Sequence, residues 1–522
     1  MPANGEREQW GSKIGLILAV AGNAVGLGNF LRFPVQAAQN GGGAFMIPYF
    51  IFFLILGIPL MWIEWGIGRH GGRFNHGSAP GMFDVLWKNK LAKYFGALGL
   101  FISMTILIYY TYIESWTLGF SIFSASKLYF NETTAGAMRN FLYSYQGRAV
   151  GDHFSSLLPA YLLMLVTFGL NFWVLYKGIS KGIEKLAKIA LPLLLLFALV
   201  LAIRIMTLGT PNPAHPENSV AAGFGFIWNP NFKLLSNPSI WLAAAGQIFF
   251  TLSVGMGTIH AYASYLKPSD DIALSGLTTA STNEFAEVVL GAAIAIPVAV
   301  AYFGLPETQQ FAKAGAFDLG FVSMPLIFQK IPLGSLFGSL WFLLLFFAGI
   351  TSSVAMGQPV VAFLEDEFGM SRKKAVGALA IVVMIAVQFV VFFQKYGFLN
   401  EMDYWAGTFG LVVFALIETV LFMWVFGADK AWAEMNEGGD FSIPKIFYYI
   451  MKFVTPVVLF VLMIWWFIDT AIPTLMLNGV ADQDKPYYWG SRILMVVLSL
   501  LILFFVKKAW AKYTNKNEIQ AE

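Results

Sequence analysis

The chain reads as an all-α polytopic membrane protein of twelve transmembrane helices, built as two five-helix repeats of inverted topology (5+5) whose opening helices, the first and the sixth, are broken. Three observations predict this. Its 522 residues are 57% hydrophobic and 12% charged, with a mean hydropathy of +0.66, and so few charges cannot cover a water-soluble globule of that size. The apolar residues gather into twelve runs, nearly all of them at least the roughly 20 residues that cross a bilayer. Two of those runs, about 230 residues apart, are interrupted by glycine-rich segments that would ruin an ordinary membrane helix.

In chain order the runs predict α1 at 12–38, α2 at 42–70, α3 at 90–125, α4 at 159–176, α5 at 184–207, α6 at 238–265, α7 at 273–303, α8 at 334–366, α9 at 373–394, α10 at 398–425, α11 at 445–473 and α12 at 485–509. Within α1, AGNAVGLGNFLRFP at 21–34 puts Asn23, Gly26, Gly28, Asn29 and Arg32 where lipid-facing apolar side chains are expected. Within α6, TLSVGMG at 251–257 repeats the pattern, Val254-Gly255-Met256-Gly257 echoing Val25-Gly26-Leu27-Gly28. Broken backbone at membrane depth survives only inside protein or beside a water-filled cavity. A pair of such breaks at corresponding places in two halves points to the binding site of a secondary transporter; close helix packing is the plainer alternative. The predicted organisation is a cytoplasmic N-terminal segment at 1–11, a first repeat at 12–207, an extracellular loop at 208–237, a second repeat at 238–425, α11 and α12 within 426–509, and a cytoplasmic tail at 510–522. Five spans per repeat, an odd number, invert the second against the first.

Basic residues set the orientation. Arg69, Arg73, Lys88, Lys90 and Lys93 lie between α2 and α3, Lys177, Lys181, Lys185 and Lys188 around the α4–α5 turn, and Arg372, Lys373 and Lys374 after α8. These are alternate connections, and with Lys507, Lys508, Lys512 and Lys516 they place both termini in the cytoplasm under the positive-inside rule, across the cell inner (plasma) membrane. The N-terminal MPANGEREQW shows no signal-peptide pattern. Asn131-Glu132-Thr133 matches a glycosylation sequon, a weak three-residue signal.

Chemistry is bounded by absences. The sequence contains no cysteine, which removes disulfides, thiolate metal sites and a cysteine nucleophile. A net charge of +3 spread over short loops gives nucleic-acid binding no support. The histidines at 70, 76, 153, 215 and 260 have no ligand spacing, and there is no G-x-x-x-x-G-K-[ST] or H-E-x-x-H, so neither an enzyme nor a nucleotide-driven pump is expected. The partners expected are the lipid bilayer, a cation and a small solute.

Polar side chains inside the apolar runs then carry the argument. Asn283 and Glu287 share a face of α7, four residues apart, and an intramembrane ionisable residue is a functional-site signal by default. Thr351, Ser352 and Ser353 on α8 and Tyr109, Tyr110 and Tyr112 on α3 join them, although hydroxyls also serve as interhelical glue and tyrosines as interfacial anchors. A helix that stops and restarts presents free N–H groups suited to a carboxylate and free carbonyls suited to a cation. Neutral oxygens from Asn29, Thr251, Asn283, Thr351 and Ser352 complete hard cages that favour a small alkali cation over a transition metal.

Several blocks in register resemble the neurotransmitter:sodium symporter family: GNAVGLGNFLRFP at 22–34, NGGGAFMIPY at 40–49, GIPLMWIEW at 57–65, YIESWTLGF at 112–120, GQIFFTLS at 246–253, FFAGITSS at 346–353, AFLEDE at 362–367 and EMDYWAGT at 401–408. The resemblance implies a leucine-transporter-like fold and sodium-coupled symport of a small neutral, mainly aliphatic amino acid by alternating access. It implies two Na+ ions. One would be held by the carbonyl of Ala24, the side chains of Asn29 and Asn283, and Thr251 through carbonyl and hydroxyl, with the substrate carboxylate completing the cage. The other would be held by the carbonyls of Gly22, Val25 and Ala348 and the hydroxyls of Thr351 and Ser352. It implies a substrate carboxylate on the amides of Leu27 and Gly28 and the hydroxyl of Tyr110, and an ammonium on carbonyls of Ala24, Phe250, Thr251 and Ser253. Asn23, Ile106, Met256, Ser352 and Met356 would complete the substrate pocket. Arg32 and Asp403 would form an outer gate lidded by Tyr110 and Phe250, and Arg7 and Asp366, with Trp10, Ser264 and Tyr265, an inner one.

Chloride is not expected to be required, since Glu287 stands where chloride-using members carry a neutral residue. A homodimer is compatible with the resemblance. In this chain Met256, Met356 and Ile106 stand where the bacterial leucine-transporting members have phenylalanine, isoleucine and valine, Asn400 replaces an aspartate, and His260 replaces an isoleucine, for which a packed neutral ring is the plain expectation. A substrate-gated channel or a transporter-like amino acid sensor are the rival readings.

Overall fold

A computed structural model describes residues 8–439 and 441–521, with side chains described to residue 511. Among the described residues the twelve expected positions are all helical: α1 as Lys13–Ala24 and Gly28–Gln39, α2 Gly43–Gly72, α3 Ala92–Ala125, α4 Leu158–Lys177, α5 Ile179–Met206, α6 as Pro238–Leu252 and Thr258–Ala263, α7 Ile272–Phe303, α8 Gly334–Phe368, α9 Arg372–Tyr396, α10 Phe398–Val425, α11 Ile446–Leu475 and α12 Lys485–Ala521. Ten are long and apolar enough to cross a membrane unaided, and the bent pair of α1 makes an eleventh. Pro238–Leu252 is too short by itself, because the break removes the rest of its span.

Two differences from the sequence reading have local causes. α5 begins at Ile179 rather than 184, since Gly178 at φ 91 turns the chain in one residue. The connections at 126–158 and 208–237 contain the helices Ala135–Tyr145 and Val220–Trp228, each started by a hydroxyl cap, Thr134 accepting from Ala137 N and Ser219 from Ala222 N.

Burial sorts the helices into a centre and a jacket. The most apolar windows of α3, α7 and α8 are 89%, 83% and 83% buried, while those of α11 and α12 are 33% buried. The central helices can therefore carry polar groups away from lipid, and the outer ones present apolar side chains such as Phe460, Ile468, Val496 and Leu500 to it.

Both breaks lie in the centre. α1 stops at Ala24, whose successor Val25 has ψ 84, and restarts at Gly28 with a 42° bend. α6 stops at Leu252, and Ser253, Gly255 and Gly257 all take positive φ, 54°, 77° and 78°. Glycine adopts that conformation freely; Ser253 does so at a cost on the order of 1 kcal/mol.

Candidate functional site

The two breaks face each other, stitched by side chains. Ser253 Oγ donates to the Asn23 carbonyl at 3.1 Å, and Ser352 Oγ of α8 donates to the same oxygen at 3.0 Å. Asn23 Nδ2 donates to Thr258 Oγ1 at 3.0 Å, across to the restart of α6. Gly28 can only be glycine beside this junction, because a Cβ there would lie 2.7 Å from the Phe250 ring.

At the first cluster, Gly26 N donates to Asn29 Oδ1 at 2.9 Å, and Asn29 Nδ2 donates to Asn283 Oδ1 at 2.8 Å and to Glu287 Oε2 at 3.0 Å. Thr251 Oγ1 donates to Glu287 Oε2, and Gln247 Nε2 to Glu287 Oε1 at 2.8 Å. Asn29, Asn283 and Glu287 are fully buried and Thr251 nearly so. The Asn283 side-chain amide also lies 3.1 Å from the Ala24 carbonyl oxygen and 3.2 Å from that of Thr251. Turned with Nδ2 toward them it donates to both carbonyls, and turned with Oδ1 toward them it adds a third oxygen to a set suited to a cation.

The second cluster lies between α1 and α8. Thr351 Oγ1 is 2.9 Å from Phe347 O and 3.2 Å from Ala348 O, and Ser352 Oγ is 3.1 Å from Ala348 O. Gly22 faces it, since a Cβ there would lie 3.4 Å from Thr351 Cβ. Neutral oxygens alone, without imidazole, make this donor set one for a hard cation.

Next to both, Leu27 N donates to Tyr110 Oη at 3.2 Å, leaving an amide and a hydroxyl at the restart of α1 where a carboxylate can be held. Ile106, Met256 and Met356 are buried. Above them opens a cavity of about 350 Å³ walled by Leu27, Gly28, Tyr110, Phe250, Arg32, Asn400 and Asp403. Arg32 and Asp403 share that wall without an ion pair: the Arg32 guanidinium stacks 4.4 Å above the Phe250 ring, and Asp403 accepts from Tyr109 Oη at 2.7 Å. Ile106, Met256 and Met356 do not line this cavity.

At the other end of α1, Trp10 Nε1 donates to Tyr262 O at 3.1 Å, with its ring edge-on to Tyr262. Ser264 Oγ donates to Ala261 O at 2.7 Å, Tyr265 Oη accepts from Gln358 Nε2 at 2.8 Å, and Asp366 Oδ2 accepts from Gly77 N at 2.7 Å. Arg7, expected to meet Asp366, lies outside the described residues. The N-terminal segment is clasped to α5: Gly11 N and Ser12 Oγ both donate to Glu184, at 2.7 and 2.8 Å.

Other groups escaped the sequence reading. Gln247 lies inside the GQIFFTLS block with no role expected of it there. Glu114 Oε2 accepts from Asn171 at 2.9 Å and from Ser353 at 2.7 Å, and so anchors the hydroxyl-bearing turn of α8. Glu64 and Glu418 lie fully buried on α2 and α10 beside His260.

This geometry agrees with the comparisons. The family model for the sodium:neurotransmitter symporter family matches residues 7–136 and 139–511. An uncharacterized sodium-dependent transporter of Methanocaldococcus jannaschii is 31% identical over 503 residues, 95% of each chain. One from Haemophilus influenzae is 28% identical over 479 residues, 88% of this chain and 98% of its own. The crystal structure of MhsT in complex with L-phenylalanine superposes with a TM-score of 0.74 at 27% identity, covering 88% of this chain and 99% of MhsT. With paired helix breaks, oxygen-only clusters and a match over nearly its whole length, the chain belongs to the sodium:neurotransmitter symporter family, whose members are sodium-coupled membrane transporters and not enzymes.

Proposed function

We propose that the chain moves a small neutral, mainly aliphatic amino acid together with two sodium ions, by alternating access around the facing breaks of α1 and α6. The observation that carries the reading is the cluster in which the Asn283 amide meets the carbonyls of Ala24 and Thr251 at 3.1 and 3.2 Å, beside Asn29 and Glu287. With Asn283 Oδ1 turned toward the two carbonyls a sodium ion finds three oxygens here, and a substrate carboxylate on Leu27, Gly28 and Tyr110 would complete its shell, so ion and substrate stabilise each other. The second ion fits the Gly22, Val25, Ala348, Thr351 and Ser352 set. Phenylalanine bound to MhsT supports an amino acid as the solute. The energetics suffice: one sodium descending about 100 mV and a tenfold gradient releases roughly 3.7 kcal/mol, and two release about 7.

Glu287 accepts from three neutral donors on both oxygens, which offset part of the cost of a buried charge, and a Glu287 carboxylate ionised beside the bound sodium makes chloride unnecessary. Met256 and Met356 give the pocket adaptable walls. One methylene is then worth only about 1–3 kcal/mol of discrimination, whereas a charged side chain meets no partner and is rejected. The two repeats span 12–207 and 238–425, both termini lie in the cytoplasm, and the membrane is the plasma membrane.

The test is counterflow of labelled leucine into proteoliposomes, with and without a sodium gradient, competed by alanine, leucine, methionine, phenylalanine, lysine and glutamate. Sodium-dependent accumulation blocked by leucine and methionine is the expected result. Effective competition by lysine or glutamate overturns the pocket, and flux without a fixed sodium ratio overturns the symporter.

A further inference from the structure

His260, Glu64 and Glu418 come from three helices, the inner half of α6, α2 and α10, and one ligand atom of each lies within 4.8 Å of the others. All three side chains are 0% exposed. Glu64 Oε1 accepts the Gly255 N–H at 2.6 Å, at the break of α6. The remaining polar atoms have no hydrogen-bond partner: Glu64 Oε2, both oxygens of Glu418 and both ring nitrogens of His260. His260 Nε2 stands 3.4 Å from Glu418 Oε2. Among the described residues no other charge reaches the group. Phe83 and Phe414 face the imidazole, Asp84 beside Phe83 is turned to Trp510, and Arg69, further along α2, is committed to Glu434.

With the ring neutral and both carboxyls ionised, this group would hold two negative charges in dry protein, at a cost of several kcal/mol per unpaired ion. Two protons make it neutral, and they also give donors to atoms that now have none. We propose that Glu64, His260 and Glu418 form a proton-binding site that holds two protons while the inner half of α6 packs against α2 and α10, one shared between the carboxyls and one between His260 and Glu418. Removing either proton leaves an uncompensated carboxylate, which drives the inner half of α6 from its neighbours, and Glu64 passes the strain to the break through Gly255. Proton occupancy is thus linked to the position of α6, a consequence that rests on α6 moving during transport. A divalent metal is disfavoured as the occupant: the atoms spread to 4.8 Å, against the roughly 3.4 Å between ligands that bonds of about 2.0–2.1 Å give in a tetrahedral site, and no face of the group is open.

Two measurements test this. Infrared difference spectra of the protein in nanodiscs, neutral against alkaline pH, read protonated buried carboxyls without any substrate. The wild type should show a carboxyl carbonyl band that Glu64→Gln and Glu418→Gln each reduce, and a band unchanged in both variants overturns the proposal. Sodium-driven leucine uptake across a pH series should fall at alkaline pH. His260→Leu and His260→Gln should both move that fall to lower pH by about one unit, a tenfold change in proton affinity, because neither side chain offers the second proton a site. Glutamine keeps a hydrogen bond but takes no proton, so a wild-type profile in His260→Gln overturns the proposal, as does stoichiometric Zn2+ binding that His260→Gln abolishes. Absence of uptake in the wild type would instead count against the transport reading, while the infrared measurement still decides the protons.

Discussion

Glu287 and Glu418 are both fully buried glutamates next to α6, and each has a second acid nearby, yet their hydrogen bonding differs. Glu287 accepts from Asn29, Thr251 and Gln247 and its neighbour Glu284 accepts from Tyr49, whereas neither oxygen of Glu418 has a hydrogen-bond partner and Glu64 stands beside it. Burial alone therefore does not decide what a membrane carboxyl does. Donors that are neutral and aimed suit a carboxylate near a cation; an acid pair without donors, beside an imidazole, suits protons. On the readings proposed above, one flank of α6 serves sodium and the other protons.

The strongest way to break this contrast is to truncate each side. Glu287→Ala leaves three buried donors unsatisfied and should lower stability by about 3–5 kcal/mol, read as thermal unfolding in detergent, while Glu418→Gln removes a like charge and should leave stability unchanged or raised at alkaline pH. Equal losses in the two variants would abolish the distinction. Next in size, Asn29→Ala, Thr251→Ala and Asn283→Ala should each weaken sodium and substrate together by about 10- to 100-fold, in line with roughly 1.5–3 kcal/mol for a hydrogen bond to a charged group, because linkage makes the coupling reciprocal. Substrate affinity that is equal in sodium and in potassium would dissolve the shared cage.

A smaller effect sharpens the charge on Glu287. Wild-type uptake should change little when gluconate replaces chloride, and Glu287→Ser should retain uptake only with chloride present. Uptake lost by the wild type in gluconate contradicts a charged Glu287.

The smallest effect concerns a third arrangement, Glu434 on the short helix Ala428–Asn436 between α10 and α11. Burial opposes its charge, but His70, Arg69 and Arg73 outweigh burial and hold the carboxyl below its ordinary range. A depressed folded value contributes stability above the unfolded value of about 4.3, and that contribution is lost as pH falls through the folded one. Glu434→Gln should therefore cost on the order of 1 kcal/mol at neutral pH and flatten the acid limb of the stability curve, measured by unfolding at pH 7 and below 4.

The sequence made one flank of α6 legible and left the other dark for a physical reason. Gly26, Gly28, Gly255 and Gly257 interrupt apolar runs, and Asn283 with Glu287 shows a helical face, so local pattern reveals them. Glu64 is the one acid of α2 and Glu418 lies in an apolar stretch of α10, and only the packing of α2 against α10 brings them to His260. The helix count and the order of elements followed from hydropathy, while the cap-started helices outside the membrane did not, being too short to carry a period. Arg32 and Asp403 were expected from the resemblance as a paired outer gate; they share one cavity wall, but their separation depends on where the Phe250 ring and Tyr109 lie, which no spacing encodes.

The clasp of Glu184 on Gly11 and Ser12, together with Trp10 on Tyr262, ties the start of α1 to both α5 and α6. Any opening beside this end of α1 has to release these bonds, so the Gly11 amide, on an exposed residue, exchanges with solvent deuterium only when its bond to Glu184 lets go. Its exchange rate becomes a counter of openings, readable by mass spectrometry on the N-terminal peptide in unlabelled, unmutated protein.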